Sequence, residues 1–333
     1  MSSRTKPAPA EEIPFTIDGK PVTARAGETI WETARRHGVE IPHLCHSGES
    51  GYRADGNCRT CMVEIKGERV LAASCIRRPT AGMEVRLGDE RARRSRELVF
   101  ELLVADQPAR EMSPDPDGVF WRQAEGVGVT TSRFPSHGEI AADRSHTAMT
   151  VQLGACINCG LCVRACREVQ VNDVIGMAGR GRGSRVIFDL GDAMGESSCV
   201  ACGECVQACP TGALMESRLV SAEDGRRALT PERSVDTLCP YCGVGCQTRV
   251  YTANVNGLGD GDKNKGDKNG AAVVVSVTKN DDKNGGGVVV PVNDGDGDVI
   301  ERIVKVDGRD GPANENRLCV KGRFGFDYVH HRH

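Results

Sequence analysis

The cysteines constrain this chain more than any other feature. There are 16 in 333 residues, and they fall into four sets of four: 45/58/61/75, 156/159/162/166, 199/202/205/209 and 239/242/246/319. None is left over. The opening MSSRTKPAPAEE has no apolar segment, so no secretory signal is expected. The expected compartment is the cytoplasm, a reducing medium in which structural disulfides are rare. Sixteen thiols there point to metal, and four thiolates are what one iron–sulfur cluster requires.

Composition agrees with small units held together by metal. Aromatic residues are only 4% of the chain, too few for one large close-packed core. The length predicts two or three domains. A net charge of −3 with mixed signs argues against a nucleic-acid-binding face. No apolar run approaches the roughly 20 residues of a membrane span. The expected class is therefore α+β, a multi-domain iron–sulfur protein.

Four segments are expected. Residues 1–90 read as a small [2Fe-2S] ferredoxin-like domain of plant type (β-grasp). FTIDGKPVTA is a hairpin turning at Asp18-Gly19, Thr29 to His37 is a helix with a Thr29/Glu32 capping box, and short strands follow at 62–66 and 70–73. Residues 91–150 read as helix and linker. The helix, 89–105, has Leu98, Leu102 and Leu103 on one side and a solvated arginine face on the other. Its Pro-, Asp- and Ser-rich continuation reads as a surface linker. Residues 151–230 hold two cysteine runs, and residues 231–333 hold the last quartet. A low-complexity hairpin insertion occupies 253–298. Within it Asp267–Val277 recurs as Asp282–Val292, giving two valine strands between flexible turns. Asp260, Asp262 and Asn264 have calcium-loop spacing, but Lys265 and Ala271 stand where Gly and Glu belong.

The spacing assigns the ligands. Cys45-x12-Cys58-x2-Cys61-x13-Cys75 has only one close pair, whereas zinc sites normally use two, so [2Fe-2S] is expected. Gly51, Gly56 and Arg59 bracket its loop. Both middle runs follow C-x2-C-x2-C-x3-C, the two-cluster ferredoxin pattern in which the fourth Cys of each run serves the other cluster. Cys156, Cys159, Cys162 and Cys209 are thus expected around one [4Fe-4S], and Cys199, Cys202, Cys205 and Cys166 around another. Arg167 replaces the proline expected after the first run, and GRGRGS lies in an inserted loop between the runs. Cys239, Cys242, Cys246 and Cys319 are expected around one further iron–sulfur cluster. Both cut ends of the insertion, 247–252 and 299–306, alternate like strands, so it extends a hairpin without disturbing that quartet. Arg59, Arg164 and Arg167 lie near ligands and can compensate cluster charge.

CPYCGVGC, GRDGPANENRLCVKGRFGFDYVHH, ACINCGLCVRACREVQVNDVIGMAGRG and CVACGECVQACPTGAL resemble the N-terminal part of the alpha subunit of NAD-dependent molybdenum or tungsten formate dehydrogenases. The resemblance covers 1–252 and 299–331. The front half also resembles the large iron–sulfur subunit of NADH dehydrogenase and the front of [FeFe]-hydrogenases. The resemblance implies an electron relay between a bis-pterin Mo/W site and flavin/NAD-binding diaphorase-type subunits. It implies a third [4Fe-4S] on Cys239, Cys242, Cys246 and Cys319, the cluster nearest the pterin, with Lys321 between the two. The family's catalytic domain lies beyond the match, so no catalytic residue is assigned and formate oxidation by this chain alone is not expected. A separate Mo/W catalytic domain would be a partner. The family's histidine-ligated cluster has no counterpart, since no Cys lies between 75 and 156, and His137 and His146 read as surface residues. His330 and His331 belong to the match. The alternatives are an electron-input subunit of an NAD-linked hydrogenase or NADH dehydrogenase, and a zinc-organised interaction protein.

Overall fold

The computed structural model describes residues 12–136, 138, 140–254, 274–275, 288–289 and 301–329. Strands β1 (Glu12–Ile17) and β2 (Lys20–Arg25) pair antiparallel, with Phe15 opposite Val22. The turn falls on Asp18 and Gly19, whose φ values are 48° and 76°, the positive-φ pair such a tight hairpin needs. Alternation then buries Phe15, Ile17, Val22 and Ala24 on one face. Helix α1 (Ile30–Arg36) starts at Thr29 with the full reciprocal capping box to Glu32. It lays Ile30, Trp31 and Ala34 onto that face. Strands β3 (Met62–Ile65), β4 (Ala72–Ala73) and β5 (Glu84–Arg86) complete a sheet of order β2-β1-β5-β3-β4, with β1 and β5 parallel. The strand predicted at 70–73 is shorter, because Val70 is exposed and only Ala72 and Ala73 pair with β3.

Helix α2 (Glu90–Ala105) is capped by Asp89, whose Oδ1 accepts from the Arg91 and Ala92 amides. Its buried face differs from the predicted one. Ala92, Arg96, Phe100 and Val104 point inward, while Leu98 and Leu102 are exposed. Arg96 is held inside because Nη1 and Nη2 donate to the carbonyls of Met62 (2.8 Å) and Leu87 (2.6 Å). The predicted surface linker also contains more structure than its composition suggests. Helix α3 (Val119–Gly126) buries Phe120, Trp121 and Ala124 against Phe100, Val104 and Leu44. The two aromatic side chains outweigh turn-rich flanks, since each large apolar group buried contributes about 1.5–3 kcal/mol.

The second unit comprises β6 (Met149–Val151), α4 (Leu161–Arg164), β7 (Ile175–Ala178), β8 (Arg185–Phe188), α5 (Glu204–Ala208) and β9 (Leu214–Glu216). A π-helical turn over Ala165–Val169 follows α4 and carries Cys166. Strand β6 pairs with β9, closing the unit end to end, and β7 pairs with β8. The segment between the two cysteine runs is therefore a hairpin rather than an open loop, with Gly181–Gly183 at its tip.

In the third unit β10 (Arg233–Leu238), β11 (Gln247–Asn254) and β14 (Glu301–Gly308) form an antiparallel sheet of that order. The insertion leaves and re-enters through the β11–β14 pair. Within it β12 (Val274–Val275) pairs with β13 (Val288–Val289). Beyond Asn254 the rest of the insertion, including the calcium-spaced residues, lies outside the described residues, as do His137, His330, His331 and His333. Helix α6 (Val320–Phe324) follows Cys319. No helix among the described residues is long and apolar enough to cross a membrane.

Candidate metal centres

The loop after α1 delivers Cys45 to a strand-end pocket formed by Cys58, Cys61 and Cys75. Cys45, Cys61 and Cys75 are buried and Cys58 partly so. The Cys58 amide donates to the Cys45 sulfur at 3.4 Å. Arg59 adopts a φ of 60°, which turns the backbone between Cys58 and Cys61. The four thiols interact directly. Hydrogen bonds from Cys58 and Cys75 pull Cys45 down to about 2, and one from Cys75 pulls Cys61 down to about 7. The donors Cys58 and Cys75 are pushed up by the same contacts and by burial. All four cannot ionise in this space unless a positive core sits among them.

The two middle runs fold alike. Asn158 and Ala201 both have positive φ (52° and 54°), followed by Gly160 and Gly203 (74° and 70°), which open α4 and α5. The Asn158 and Ala201 amides each donate to the preceding Cys156 or Cys199 sulfur at 3.4 Å. An alanine held in the left-handed region costs about 1–2 kcal/mol, so this turn is maintained for its amide direction. The Val174 amide donates to Cys166 Sγ at 3.3 Å.

The runs also exchange their fourth members. Cys209 lines one small cavity with Cys156, Cys159 and Cys162. It lies close enough to repel the charged form of each. Cys166 stands in the same relation to Cys199, Cys202 and Cys205. Burial pushes Cys156 up to about 11 and also pushes Cys162 and Cys205 well up, with neighbouring thiols adding to it. Such donor sets fit a cationic iron–sulfur core, which offsets the cost of buried thiolates. Among the described residues no three Cys, His, Asp or Glu side chains converge on one point as a single-ion site requires.

Cys239, Cys242 and Cys246 occupy the β10–β11 connection, where the Cys239 amide donates to the Cys246 carbonyl at 2.8 Å. Cys319 caps α6 and reaches the same place. Cys246 is pushed up by burial and then by Cys239, Cys242 and Cys319. A Cβ on Gly322 would meet the Cys239 sulfur at 3.5 Å, so α6 packs directly on the loop. Cys242, Cys319 and Lys321 are exposed, and exposed Leu238, Tyr241, Val244 and Val320 surround them.

Neighbouring quartets touch. Cys45, Cys159 and Leu161 share one buried cluster. Cys162, Cys166 and Cys205 share another. Arg164, 2% exposed, donates to the Cys45 carbonyl at 2.6 Å and pairs with Asp55, while Asn57 Nδ2 donates to the Cys159 carbonyl at 3.4 Å. Arg59 and Arg167 are exposed, and Arg167 pairs with Asp173. The His146 ring accepts from the Ala148 amide at 3.1 Å.

Several residues carried no sequence signal. Arg323 is fully buried between the second and third units. Tyr52 Oη donates to buried Glu204 Oε1 at 2.9 Å, tying the first unit to the second. Trp31 packs edgewise on His43 and His46, with ring centroids 4.4 and 4.6 Å away. Among the described residues, both oxygens of buried Glu216 lack a hydrogen-bond partner. These contacts join residues far apart in sequence, which local spacing does not show.

Comparison with known families gives three matches. The family described as a 2Fe-2S iron-sulfur cluster binding domain matches residues 10–90. The 4Fe-4S dicluster domain matches 155–213. The molybdopterin oxidoreductase Fe4S4 domain matches 232–287 and 298–331. The formate dehydrogenase-like YrhE of Bacillus subtilis is 28% identical over 96% of this chain and 32% of its own length. A subunit of the NADH-quinone oxidoreductase of Rhizobium meliloti is 29% identical over the same shares. This chain thus spans about a third of those relatives. A chain of the crystal structure of an NAD+-reducing [NiFe]-hydrogenase in the H2-reduced state superposes with a TM-score of 0.56 at 30% identity, covering 65% of this chain and 92% of that one.

Proposed function

Because this chain belongs to the iron–sulfur family shared by formate dehydrogenase-like proteins, NADH-quinone oxidoreductases and NAD+-reducing hydrogenases, we propose that it is a four-cluster electron relay. Bound clusters would supply one-electron centres in a row. The chain's own residues hold them, bury them and fix their order. Cys45, Cys58, Cys61 and Cys75 hold the [2Fe-2S] in a plant-type-like β-grasp domain. Cys156, Cys159, Cys162 and Cys209 hold one [4Fe-4S] of a bacterial-type ferredoxin domain, and Cys199, Cys202, Cys205 and Cys166 the other. Cys239, Cys242, Cys246 and Cys319 hold the last [4Fe-4S].

The observation that carries this reading is the unbroken adjacency of the quartets. Cys45 packs on Cys159, Cys162 shares a core with Cys205, and one residue, Arg323, bonds to the carbonyls of Cys202 and Cys319. The exposed apolar rim around Cys242 and Cys319 is a surface on which a Mo/W bis-pterin domain would sit, with Lys321 on the pterin side. At the other end, a flavin/NAD-binding diaphorase-type subunit would exchange electrons with the [2Fe-2S] unit. No catalytic residue is assigned here, and formate oxidation would need the Mo/W domain. The likeness to the hydrogenase chain and to the NADH-quinone oxidoreductase relative supports a second reading, an electron-input subunit of a hydrogenase or NADH dehydrogenase.

Stepwise reduction of the anaerobically purified chain, followed by EPR, tests the relay. One [2Fe-2S] and three [4Fe-4S] signals are expected, with no formate:dye activity. Absence of [4Fe-4S] signals from a chain that retains its metal contradicts it, and formate turnover by the chain alone contradicts the relay-only role.

A further inference from the structure

We propose that Arg323 is a coupling residue between the last two quartets, rooted in the helix that follows Cys319, whose buried guanidinium holds the Cys202 loop and sets the electrostatic balance between the two. The inference rests on the cluster reading above.

Arg323 and Arg164 are the largest fully buried side chains among the described residues, and Arg323 is 0% exposed. The backbone N–H of Arg323 donates to the Cys319 carbonyl at 3.1 Å. Its side chain crosses to the preceding unit, where Nε donates to the Cys202 carbonyl at 2.8 Å and Nη2 to Gln207 Oε1 at 2.8 Å. The guanidinium also faces Glu204 at 3.4 Å and Asp307 at 3.3 Å. All three of its nitrogens are engaged, which suits a planar five-donor fork and not a point charge. The crossing requires Gly203, because a Cβ there would lie 2.1 Å from Arg323 Cδ.

Arg323 and Lys305 face Glu204, Asp307 and the buried carboxyl of Glu216, Lys305 Nζ lying 3.0 Å from Asp307. Removing the guanidinium leaves Lys305 to balance these carboxyl groups beside two ligand loops. Negative charge disfavours the gain of an electron, so the potentials of the two flanking clusters fall, while the distant [2Fe-2S] does not respond. A purely structural clasp would change stability and leave the potentials where they were.

The test uses the full, cluster-loaded chain and its Arg323→Met, Arg323→Lys and Asp307→Asn variants, with EPR-monitored redox titration. Arg323→Met is expected to shift two [4Fe-4S] potentials downward and to narrow the spin–spin broadening between those signals. Arg323→Lys restores the potentials more than the broadening, and Asp307→Asn shifts the same two upward. Unchanged potentials in Arg323→Met and Asp307→Asn at wild-type iron content overturn the proposal. If Arg323→Met loses iron, Asp307→Asn decides, and no upward shift there overturns it. Iron content of the wild-type chain reads the cluster assignment separately, so the two failures are distinguishable.

Discussion

The Cys45 carbonyl oxygen accepts a 2.6 Å hydrogen bond from Nη2 of Arg164, although 119 residues separate the two. Arg164 ends the helix that carries Cys162 and directly precedes the turn that carries Cys166. One side chain therefore sets the position of the first quartet against the second. Asp55, from the same loop as Cys58, balances its charge.

Replacing Arg164 by Met leaves Asp55 with Arg53 as its remaining partner and frees the buried Cys45 carbonyl. A buried polar group left unsatisfied costs about 1–3 kcal/mol. Anaerobic chemical denaturation of the loaded protein is expected to register a loss of this order, with Arg164→Lys recovering only part of it. A loss below about 1 kcal/mol, the size of a surface ion pair, contradicts the role.

Cys242→Ser replaces an exposed thiol of the last quartet. One [4Fe-4S] EPR signal should disappear and iron content fall by about four atoms, with the other signals intact. Simultaneous loss of every signal would show that the quartets do not load independently.

Glu216 is buried at the end of β9, and neither oxygen has a hydrogen-bond partner among the described residues. Burial raises its pKa, against the pull of Lys305 and with the push of Asp307. A carboxyl whose folded pKa is raised contributes stability below its unfolded pKa and loses it as pH rises. Glu216→Gln should therefore match the parent near pH 4 and exceed it in Tm at pH 7 to 8. A variant less stable at every pH would refute this.

Thr29→Ala removes the side-chain half of the α1 capping box. A loss of about 1 kcal/mol is expected, read by denaturation, and it should be confined to the first unit. The [4Fe-4S] signals should be unaltered, and a change in them would mean that α1 is coupled to the second unit more tightly than its contacts indicate.

The parts of the fold legible in the sequence are those fixed by near neighbours. Asp18-Gly19 marks its own turn, Thr29 and Glu32 mark their own cap, and paired valines mark β12 and β13. The kinship of the two middle cysteine runs was legible for the same reason, since C-x2-C-x2-C-x3-C is a local pattern. What escaped depends on distant partners. Leu98 and Leu102 read as the inner face of α2, yet Arg96 is inside because the Met62 and Leu87 carbonyls are there to receive it. Arg164 read as a compensating charge, and nothing in the spacing singled out Arg323. Their burial follows from carbonyls and carboxylates more than 100 residues away. Helix α3 was hidden in a turn-rich stretch because Phe120 and Trp121 find their core on α2.

Iron and acid-labile sulfide, measured per chain on anaerobically purified protein, test the central claim most directly. The account predicts about 14 iron atoms with a matching amount of sulfide. About four metal atoms or fewer per chain, zinc in place of iron, or iron without sulfide would contradict it.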